Sequence, residues 1–293
     1  LRPYQVEGLE WAGRLAHWAK GACLADEMGL GKTLQALALL LRREPLGRAL
    51  VIAPTSVVPN WLREAARFAP TLGVSGIARG AALDELDAGE PVVVTSWDLV
   101  VRHEERFKAI DWATVVLDEA HAMKNAATRR AQVAKALPAG FVLALTGTPV
   151  ENHLAELWSL FRVISPGLLG TWPQFRERFA APIERDQSVE RRAALARVLR
   201  PFMLRRTKEN VRPELPPLIE LNRLVSLSAA ERELYETARL AAATAITAAQ
   251  SPNQRFAVLS CLTRLRRLSC HPRLVHDAWT GADAELVLPG LAR

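Results

Sequence analysis

Several residue types are scarce in this sequence, and each shortage excludes a class of protein. Among its 293 residues are 3 cysteines, at positions 23, 261 and 270, and their spacing matches neither a disulfide framework nor a zinc site. No apolar run approaches the roughly 18 residues of a membrane-spanning helix, and no secretory signal stands at the start. We therefore expect a protein of a reducing, cytoplasmic compartment that has no membrane partner.

Lysine is also scarce, so arginine carries most of the positive charge. The lysines stand at positions 20, 32, 108, 124, 135 and 208, whereas lysine and arginine together number 38 against 31 acidic residues. The net charge of +7 and the isoelectric point near 9.8 indicate a polyanionic partner such as nucleic acid. With 49% hydrophobic and 24% charged residues, the chain suits an ordinary globular protein of about two domains. Because it begins at Leu1 rather than methionine, we expect a piece of a longer protein.

The stretch from residue 25 to residue 33, ADEMGLGKT, has the composition of a phosphate-binding loop. It follows a short apolar run and precedes a long one, which predicts the strand–turn–helix context of such loops. Lys32 would contact the β- and γ-phosphates of a nucleotide, and the Thr33 hydroxyl would hold Mg²⁺. The generic template has glycine where Asp26 stands, so a glycine-rich turn before a helix stays open as the alternative. The predicted nucleotide-binding residues here are Asp26, Glu27, Met28, Gly29, Leu30, Gly31, Lys32 and Thr33.

A second motif, Asp118 and Glu119 after residues 114–117, three of which are apolar, favours the nucleotide interpretation. Carboxylates at the carboxyl end of a buried parallel strand suit two tasks beside a phosphate-bound metal. Asp118 would hold Mg²⁺, and Glu119 would polarise the attacking water. Near the start, the carboxamide of Gln5 offers the donor and acceptor needed to read an adenine edge, although an exposed glutamine at a helix start is the alternative. The two motifs together predict an ATP site that uses Mg²⁺.

Apolar strand-like segments alternate with helical ones through the first half of the chain. Residues 49–53, 92–97 and 141–145 read as buried strands, and residues 60–68 read as a helix. This alternation predicts an α/β fold with a doubly wound parallel sheet, whose ligands bind at the carboxyl ends of the strands. Hydroxyl side chains stand at or just after the carboxyl ends of these strands, and we expect them on the functional side, although any single one could cap a helix. They are Thr55, Ser56, Thr95, Ser96, Thr146 and Thr148.

Beyond residue 160 the pattern becomes helical. The aromatic side chains Trp172, Phe175 and Phe179 stand at roughly helical spacing and are expected in a core, and a second helix is predicted over residues 188–199. Residues 218–221 could add an edge strand to the sheet. Two long helices should follow, the second with an apolar stripe. The stripe consists of Val258, Leu259, Leu262, Leu265 and Leu268.

The ordered set of motifs resembles the first motor lobe of the Swi/Snf-type ATPases, the double-stranded-DNA translocases of helicase superfamily two. The likeness covers nearly the whole chain, and Asp26 in place of the first loop glycine is usual in that family. The segments at 150–152 and 166–170 resemble bacterial and archaeal members. The matching motifs are LRPYQ at 1–5, DEMGLGKT at 26–33, IAP at 52–54 with NW at 60–61, the DEAH box at 118–121 with KN at 124–125, LTGTP at 145–149 with EN at 151–152, ELWSL at 156–160, LRPFMLRRTK at 199–208 and LRRLSCHP at 265–272.

The resemblance implies a role for each matching position. Gln5 would read adenine, Lys32 and Thr33 would bind phosphate and Mg²⁺, Asp118 would be the second Mg²⁺ anchor, and Glu119 would be the catalytic base. Thr146, Gly147 and Thr148 would couple the ATP state to DNA. The residues implied to face the DNA backbone, without reading sequence, are Thr55, Ser56, Thr95, Ser96, Lys124 and Asn125. Two basic clusters, Arg205 with Arg206 and Arg264 to Arg267, are candidates for contacts with DNA or a partner lobe, with a solvated helix face as the alternative.

The resemblance also implies a domain plan. A RecA-like ATP-binding lobe of the P-loop NTPase type would span residues 1–165, with an inserted all-helical protrusion at 166–213 and 229–275. Residues 214–228 would return a strand to the lobe, and residues 276–293 would lead to a second RecA-like lobe of the full-length protein. Without that lobe we expect poor ATP hydrolysis. A nucleoid-associated location follows from a DNA partner. A strand-separating helicase and a non-catalytic DNA-binding scaffold remain as other function classes.

Overall fold

The computed structural model divides the chain into two compact units, Leu1–Pro216 and Pro217–Arg293. It describes residues 1–77, 83, 86, 89–123, 125–147, 153–211, 226–248 and 254–275. The first unit contains the sheet, and the second contains the two long helices that the sequence predicts.

Within the described part of the first unit, seven parallel strands form one sheet with the order β3-β4-β2-β5-β6-β1-β7. This confirms the predicted doubly wound α/β fold. The strand order brings the ends of β5, β6 and β1 side by side, since Leu117 pairs with Ala144 and Leu24 pairs with both Leu145 and Leu204. The strands are β1 (Gly21–Leu24), β2 (Ala49–Ala53), β3 (Val74–Ile77), β4 (Val92–Ser96), β5 (Trp112–Leu117), β6 (Ala139–Leu145) and β7 (Met203–Leu204).

Helices cover both faces of the sheet, which explains why the central strands are apolar at almost every position. On one face, Val51 and Val116 pack with side chains of α1, α2 and α3. On the other face, Ile52 and Leu117 pack with α4 to α7, as the two-residue period of a strand requires. These helices are α1 (Pro3–Leu15), α2 (Lys32–Arg43), α3 (Val58–Phe68), α4 (Trp97–Arg102), α5 (Glu104–Lys108), α6 (Arg129–Ala136) and α7 (Leu154–Ile164).

The helical segment that follows α7 packs on the same core as the sheet. It comprises α8 (Trp172–Phe175), a π-helical turn (Arg176–Ala180), α9 (Ala181–Glu184) and α10 (Val189–Leu199). A short helix without buried residues, α11 (Lys208–Val211), follows β7. Phe175 and Phe179 are buried in the cluster that lines α4 to α7, and their rings are 5.7 Å apart. The predicted core role of these aromatics is confirmed, as is the predicted helix over 188–199. Ser188 caps that helix by accepting a hydrogen bond from the Arg191 N–H.

The described part of the second unit contains two long helices, α12 (Ala229–Ala248) and α13 (Gln254–Cys270), which pack on each other, and a short 3-10 turn at Pro272–Leu274. The apolar stripe predicted along α13 is correct only in part: Leu268 is buried, whereas Leu259 and Leu262 are 62% and 58% exposed. The strand predicted at 218–221 lies outside the described residues. In the ranges that are described, no helix combines the length and the apolar character needed to cross a membrane.

Candidate nucleotide-binding site

The loop between β1 and α2 has the backbone that phosphate binding requires. Gly29 and Gly31 adopt positive φ angles of 86° and 74°, a region that only glycine enters freely, and Gly31 is the residue that precedes the first turn of α2. A helix start presents N–H groups without intrahelical partners, together with the positive end of the helix dipole. The loop therefore offers an anion-binding surface at the carboxyl edge of the sheet.

Lys32 lies at the centre of this surface. Its ammonium donates a 2.7 Å hydrogen bond to the Asp26 carbonyl, and burial lowers the pKa of Lys32 while the negative charges of Glu119, Asp26 and Asp118 oppose that shift. The structure thus brings Lys32 and the acidic pair into one site, although they stand more than 80 positions apart in the sequence. Thr33 lies beside Lys32 in the first turn of α2 and is half-buried.

Asp118 follows β5 and is held by two hydrogen bonds. Its Oδ2 accepts from the indole N–H of Trp61 at 2.7 Å, and its Oδ1 accepts from the backbone N–H of Glu119 at 2.9 Å. Each carboxylate oxygen keeps a second lone pair for another ligand. Together with the Thr33 hydroxyl, this oxygen donor set fits Mg²⁺, which prefers few carboxylates and keeps several waters.

The hydrogen bond from Trp61 to Asp118 is a contact of the candidate site that the sequence analysis did not predict. The side chain is fully buried in α3, the helix that follows β2. The Asn60–Trp61 motif was the available signal, because a buried indole N–H needs a hydrogen-bond acceptor.

Gln5 lies against the nucleotide loop and is buried, so the alternative of an exposed helix-start glutamine is wrong. Its Nε2 donates to the Leu30 carbonyl at 3.2 Å, and its Oε1 accepts from the Arg2 N–H at 2.9 Å. The neighbouring Tyr4 hydroxyl also donates to the Leu30 carbonyl. The start of α1 is therefore bound to the loop, and adenine reading by Gln5 stays a prediction.

The segment after β6 lies between the nucleotide loop and Asp118, as the strand order requires. The Thr146 N–H donates to the Leu24 carbonyl, and Thr146 is buried. A Cβ atom placed on Gly147 would lie 3.0 Å from Met28 Cγ and 3.8 Å from Lys32 Nζ, so the backbone here runs close to the loop. Thr148 lies outside the described residues.

Three of the predicted DNA-facing residues are placed elsewhere by the structure. Thr95 is fully buried and donates to the Ile77 carbonyl, and Ser96 is buried and caps α4 by accepting from the Leu99 N–H. These two assignments are corrected, because both hydroxyls are satisfied inside the protein. The assignment of Arg206 is also corrected: its guanidinium is turned inward onto the Asp26 carboxylate and is 11% exposed.

The other described residues that were predicted to face DNA are exposed, so their positions are compatible with that prediction. Thr55 and Ser56 are exposed directly after β2, and Arg205 is exposed after β7. Asn125 is exposed, and its Oδ1 accepts from the Ala127 N–H at 2.8 Å, which shapes the turn before α6. Lys124 lies outside the described residues.

Comparison with known proteins gives concordant matches. The model of the SNF2-related domain matches residues 4–274. The chain is 40% identical over 285 residues to the putative ATP-dependent helicase/translocase YwqA of Bacillus subtilis, covering 94% of this chain and 31% of that protein. It is 36% identical over 295 residues to the SWI/SNF-related matrix-associated actin-dependent regulator of chromatin subfamily A member 1 of Homo sapiens, covering 96% of this chain and 28% of that protein.

A solved structure matches as well. The Sulfolobus solfataricus SWI2/SNF2 ATPase core in complex with dsDNA is 34% identical with a TM-score of 0.69, and the match covers 94% of this chain and 59% of that one. The chain thus spans about a third of the length of the curated relatives above and somewhat more than half of the length of that structure.

Proposed function

Because the chain belongs to the family of SNF2-related domains, we propose that it is the ATP-binding lobe of a DNA-dependent ATPase that translocates on double-stranded DNA to remodel protein–DNA complexes. The observation that carries the proposal is the convergence of Lys32, Asp118 and Glu119 beside the nucleotide loop. A cation for phosphate, a carboxylate for the metal and a second carboxylate for water are the groups that ATP hydrolysis needs.

Each residue then has one task in that reaction. Lys32 exchanges its bond to the Asp26 carbonyl for the β- and γ-phosphates, and the N–H groups at the start of α2 bind the same anion. Thr33 and Asp118 would hold Mg²⁺, which would supply positive charge beside the phosphates. Glu119 orients the attacking water and accepts its proton. The segment of Thr146 and Gly147 contacts the loop and is suited to transmit its state to DNA-facing residues.

We further propose that the full-length protein completes this site with a second RecA-like lobe. Phosphoryl-transfer enzymes gain roughly 10³–10⁵ in rate from an arginine finger. In the described part of the site, the arginine nearest the loop, Arg206, is occupied by Asp26. The coverage of 59% of the Sulfolobus ATPase core is consistent with a further catalytic lobe. Bound ATP should therefore be hydrolysed slowly by this chain.

The test is ATP binding and ATP hydrolysis by the chain, with and without double-stranded DNA. Lys32→Ala should abolish nucleotide binding, while Lys135→Ala, an exposed lysine on α6, is the matched control and should bind like the parent. Glu119→Gln should retain binding. Hydrolysis by the parent should barely exceed that of Lys32→Ala. Strong DNA-stimulated turnover would refute the proposal that a second lobe supplies the catalytic arginine, and would place such arginines within this chain. Nucleotide binding that survives Lys32→Ala would refute the nucleotide site.

DNA binding should depend on phosphate contacts rather than on sequence. Thr55 and Ser56 are exposed at the carboxyl edge, where hydroxyls can bond phosphates. Two duplexes of unrelated sequence should bind equally, with affinity that falls steeply as salt rises, measured by fluorescence anisotropy. Thr55→Glu should weaken binding, whereas Thr71→Glu should not, because Thr71 is exposed just before β3 at the opposite edge of the sheet. Equal effects of the two substitutions would argue against this surface.

A further inference from the structure

The backbone that follows β7 runs alongside the nucleotide loop. The N–H groups of Ala25 and Glu27 donate to the carbonyls of Leu204 and Arg206 at 2.7 and 3.0 Å, which continues the pairing of β7 with β1 beyond both strands. The N–H of Lys208 then donates to the Glu27 carboxylate at 2.7 Å. The first half of the loop is therefore bordered by a segment from a distant part of the chain.

Asp26 is a fully buried carboxylate whose oxygens are bound largely by one residue of that segment. Its Oδ1 accepts from the backbone N–H and the Nε of Arg206 at 3.1 and 3.0 Å, and its Oδ2 accepts from Arg206 Nη2. A buried charge is tolerated only when it is paired and fully hydrogen-bonded, and the planar guanidinium matches a carboxylate. Asp26 takes the place of the glycine of the generic phosphate loop, so this variant loop requires a cation that lies 180 positions away.

The same guanidinium also binds the helices on either side of the loop. Arg206 Nη2 donates to Gln35 Oε1 at 2.8 Å, and Gln35 Nε2 donates back to Asp26 Oδ2 at 3.2 Å, so the first turns of α2 are tied to the loop. Arg206 Nη1 donates to the Tyr4 carbonyl, and the guanidinium lies 5.3 Å above the Tyr4 ring. Since Tyr4 precedes Gln5, the cation joins the phosphate side of the site to the predicted adenine side.

The space for this network depends on a glycine in α1. A Cβ atom on Gly8 would lie 2.1 Å from Gln35 Oε1 and 2.8 Å from Arg206 Nη2. Glycine in a helix interior costs about 0.5–1 kcal/mol relative to alanine. Here it permits α1 to approach the arginine and the glutamine closely. Four segments of the chain therefore meet around one guanidinium.

We propose that Arg206 is a positioning residue of the nucleotide site, which acts through Asp26, Gln35 and Tyr4 without touching the nucleotide. It holds the loop, α2 and α1 in the register that lets the phosphate-binding and adenine-reading groups engage one ligand. The inference rests on the proposed nucleotide site. The Asp26 carboxylate of the loop is paired only when the chain has passed through the helical segment and β7 to Arg206. The conformation of the backbone that follows β7 therefore affects nucleotide affinity directly.

The experiment separates positioning from simple neutralisation of a buried charge. Arg206→Met should lower both the melting temperature and the affinity for Mg²⁺-ADP, because it leaves Asp26 buried and unpaired. The double variant Asp26→Asn with Arg206→Met removes both charges and should recover most of the melting temperature. Its Kd for Mg²⁺-ADP should nevertheless stay at least tenfold above that of the parent. Arg192→Met, an exposed arginine on α10, is the matched control and should change neither quantity.

Arg206→Lys keeps the charge but loses the planar fork, and it provides a second measurement if the double variant folds poorly. We expect it to remain folded with a Kd raised severalfold. Affinity that recovers together with the melting temperature in the double variant, or a parental Kd in Arg206→Lys, would overturn the inference and leave only a structural ion pair. Failure of the parent itself to bind Mg²⁺-ADP better than Lys32→Ala would instead overturn the proposed nucleotide site.

Discussion

A buried hydrogen bond from Trp61 to Asp118 joins the helix after β2 to the predicted Mg²⁺ ligand at the end of β5. The indole is fully buried, and its N–H lies 2.7 Å from Asp118 Oδ2. Trp61→Phe keeps an aromatic ring in the core but removes the only donor that this side chain offers. The Asp118 carboxylate then retains the Glu119 N–H on one oxygen and loses its buried partner on the other.

Two energetic terms follow from that loss. A hydrogen bond to a charged group contributes about 1.5–3 kcal/mol, and the smaller ring leaves a cavity that costs about 1 kcal/mol more. The free energy of unfolding should therefore fall by about 2.5–4 kcal/mol. Loss of a partner that orients a metal ligand typically costs about 10–100-fold in metal affinity, so the Mg²⁺ concentration needed for nucleotide binding should rise by a similar factor.

The assay combines urea unfolding with a Mg²⁺ titration of nucleotide binding. Trp112→Phe is the matched control, because Trp112 is equally buried and donates from Nε1 to the Phe107 carbonyl at 2.9 Å, at the opposite end of β5. Both variants should lose stability, but only Trp61→Phe should shift the Mg²⁺ dependence. An unchanged Mg²⁺ requirement in Trp61→Phe, or an equal shift in both variants, would refute the reasoning.

Two further predictions use groups away from the phosphates. Burial raises the pKa of Cys23 to about 12, although the positive charge of Lys32 acts in the opposite direction. Iodoacetamide should therefore spare the buried Cys23 in the folded chain and modify the exposed Cys270. Mass mapping that finds Cys23 alkylated under native conditions would contradict this. A hydrogen bond from Lys108 is the main cause that holds the pKa of Glu104 below its usual value. The ionised Glu104 side chain therefore stabilises the folded protein fully above the ordinary glutamate pKa, and this stabilisation is lost as the pH falls through the lowered pKa of Glu104. Glu104→Gln should therefore lower the melting temperature near neutral pH, and the difference in melting temperature between variant and parent should vanish in strong acid. A difference that stays constant with pH would show that the charge of Glu104 does not contribute to stability.

Prediction from the sequence succeeded where the signal is local. The glycines of residues 25–33, the apolar strands and the capped helix over 188–199 each depend on neighbours within a few positions, and the structure confirms the sheet and these helices. Short elements were harder to recognise, because β3 and β7 have few residues and exist through their pairing with β4 and β1. The hydroxyls of Thr95 and Ser96 were assigned to the wrong environment, since residue type alone does not say whether a strand-end hydroxyl bonds a neighbouring strand, as Thr95 does, or caps the next helix, as Ser96 does.

The α/β class, the glycine loop of residues 25–33 and the pair Asp118 and Glu119 could be predicted from the sequence, because backbone preference and the order of apolar segments set these features locally. Which distant side chains complete the candidate site depends on the folded arrangement. Trp61 reaches Asp118 across 57 positions and Arg206 reaches Asp26 across 180, and neither pair leaves a periodic signal. The physical reason is burial: a carboxylate removed from water must find a donor, and which donor lies within reach depends on how the strands are ordered in the sheet.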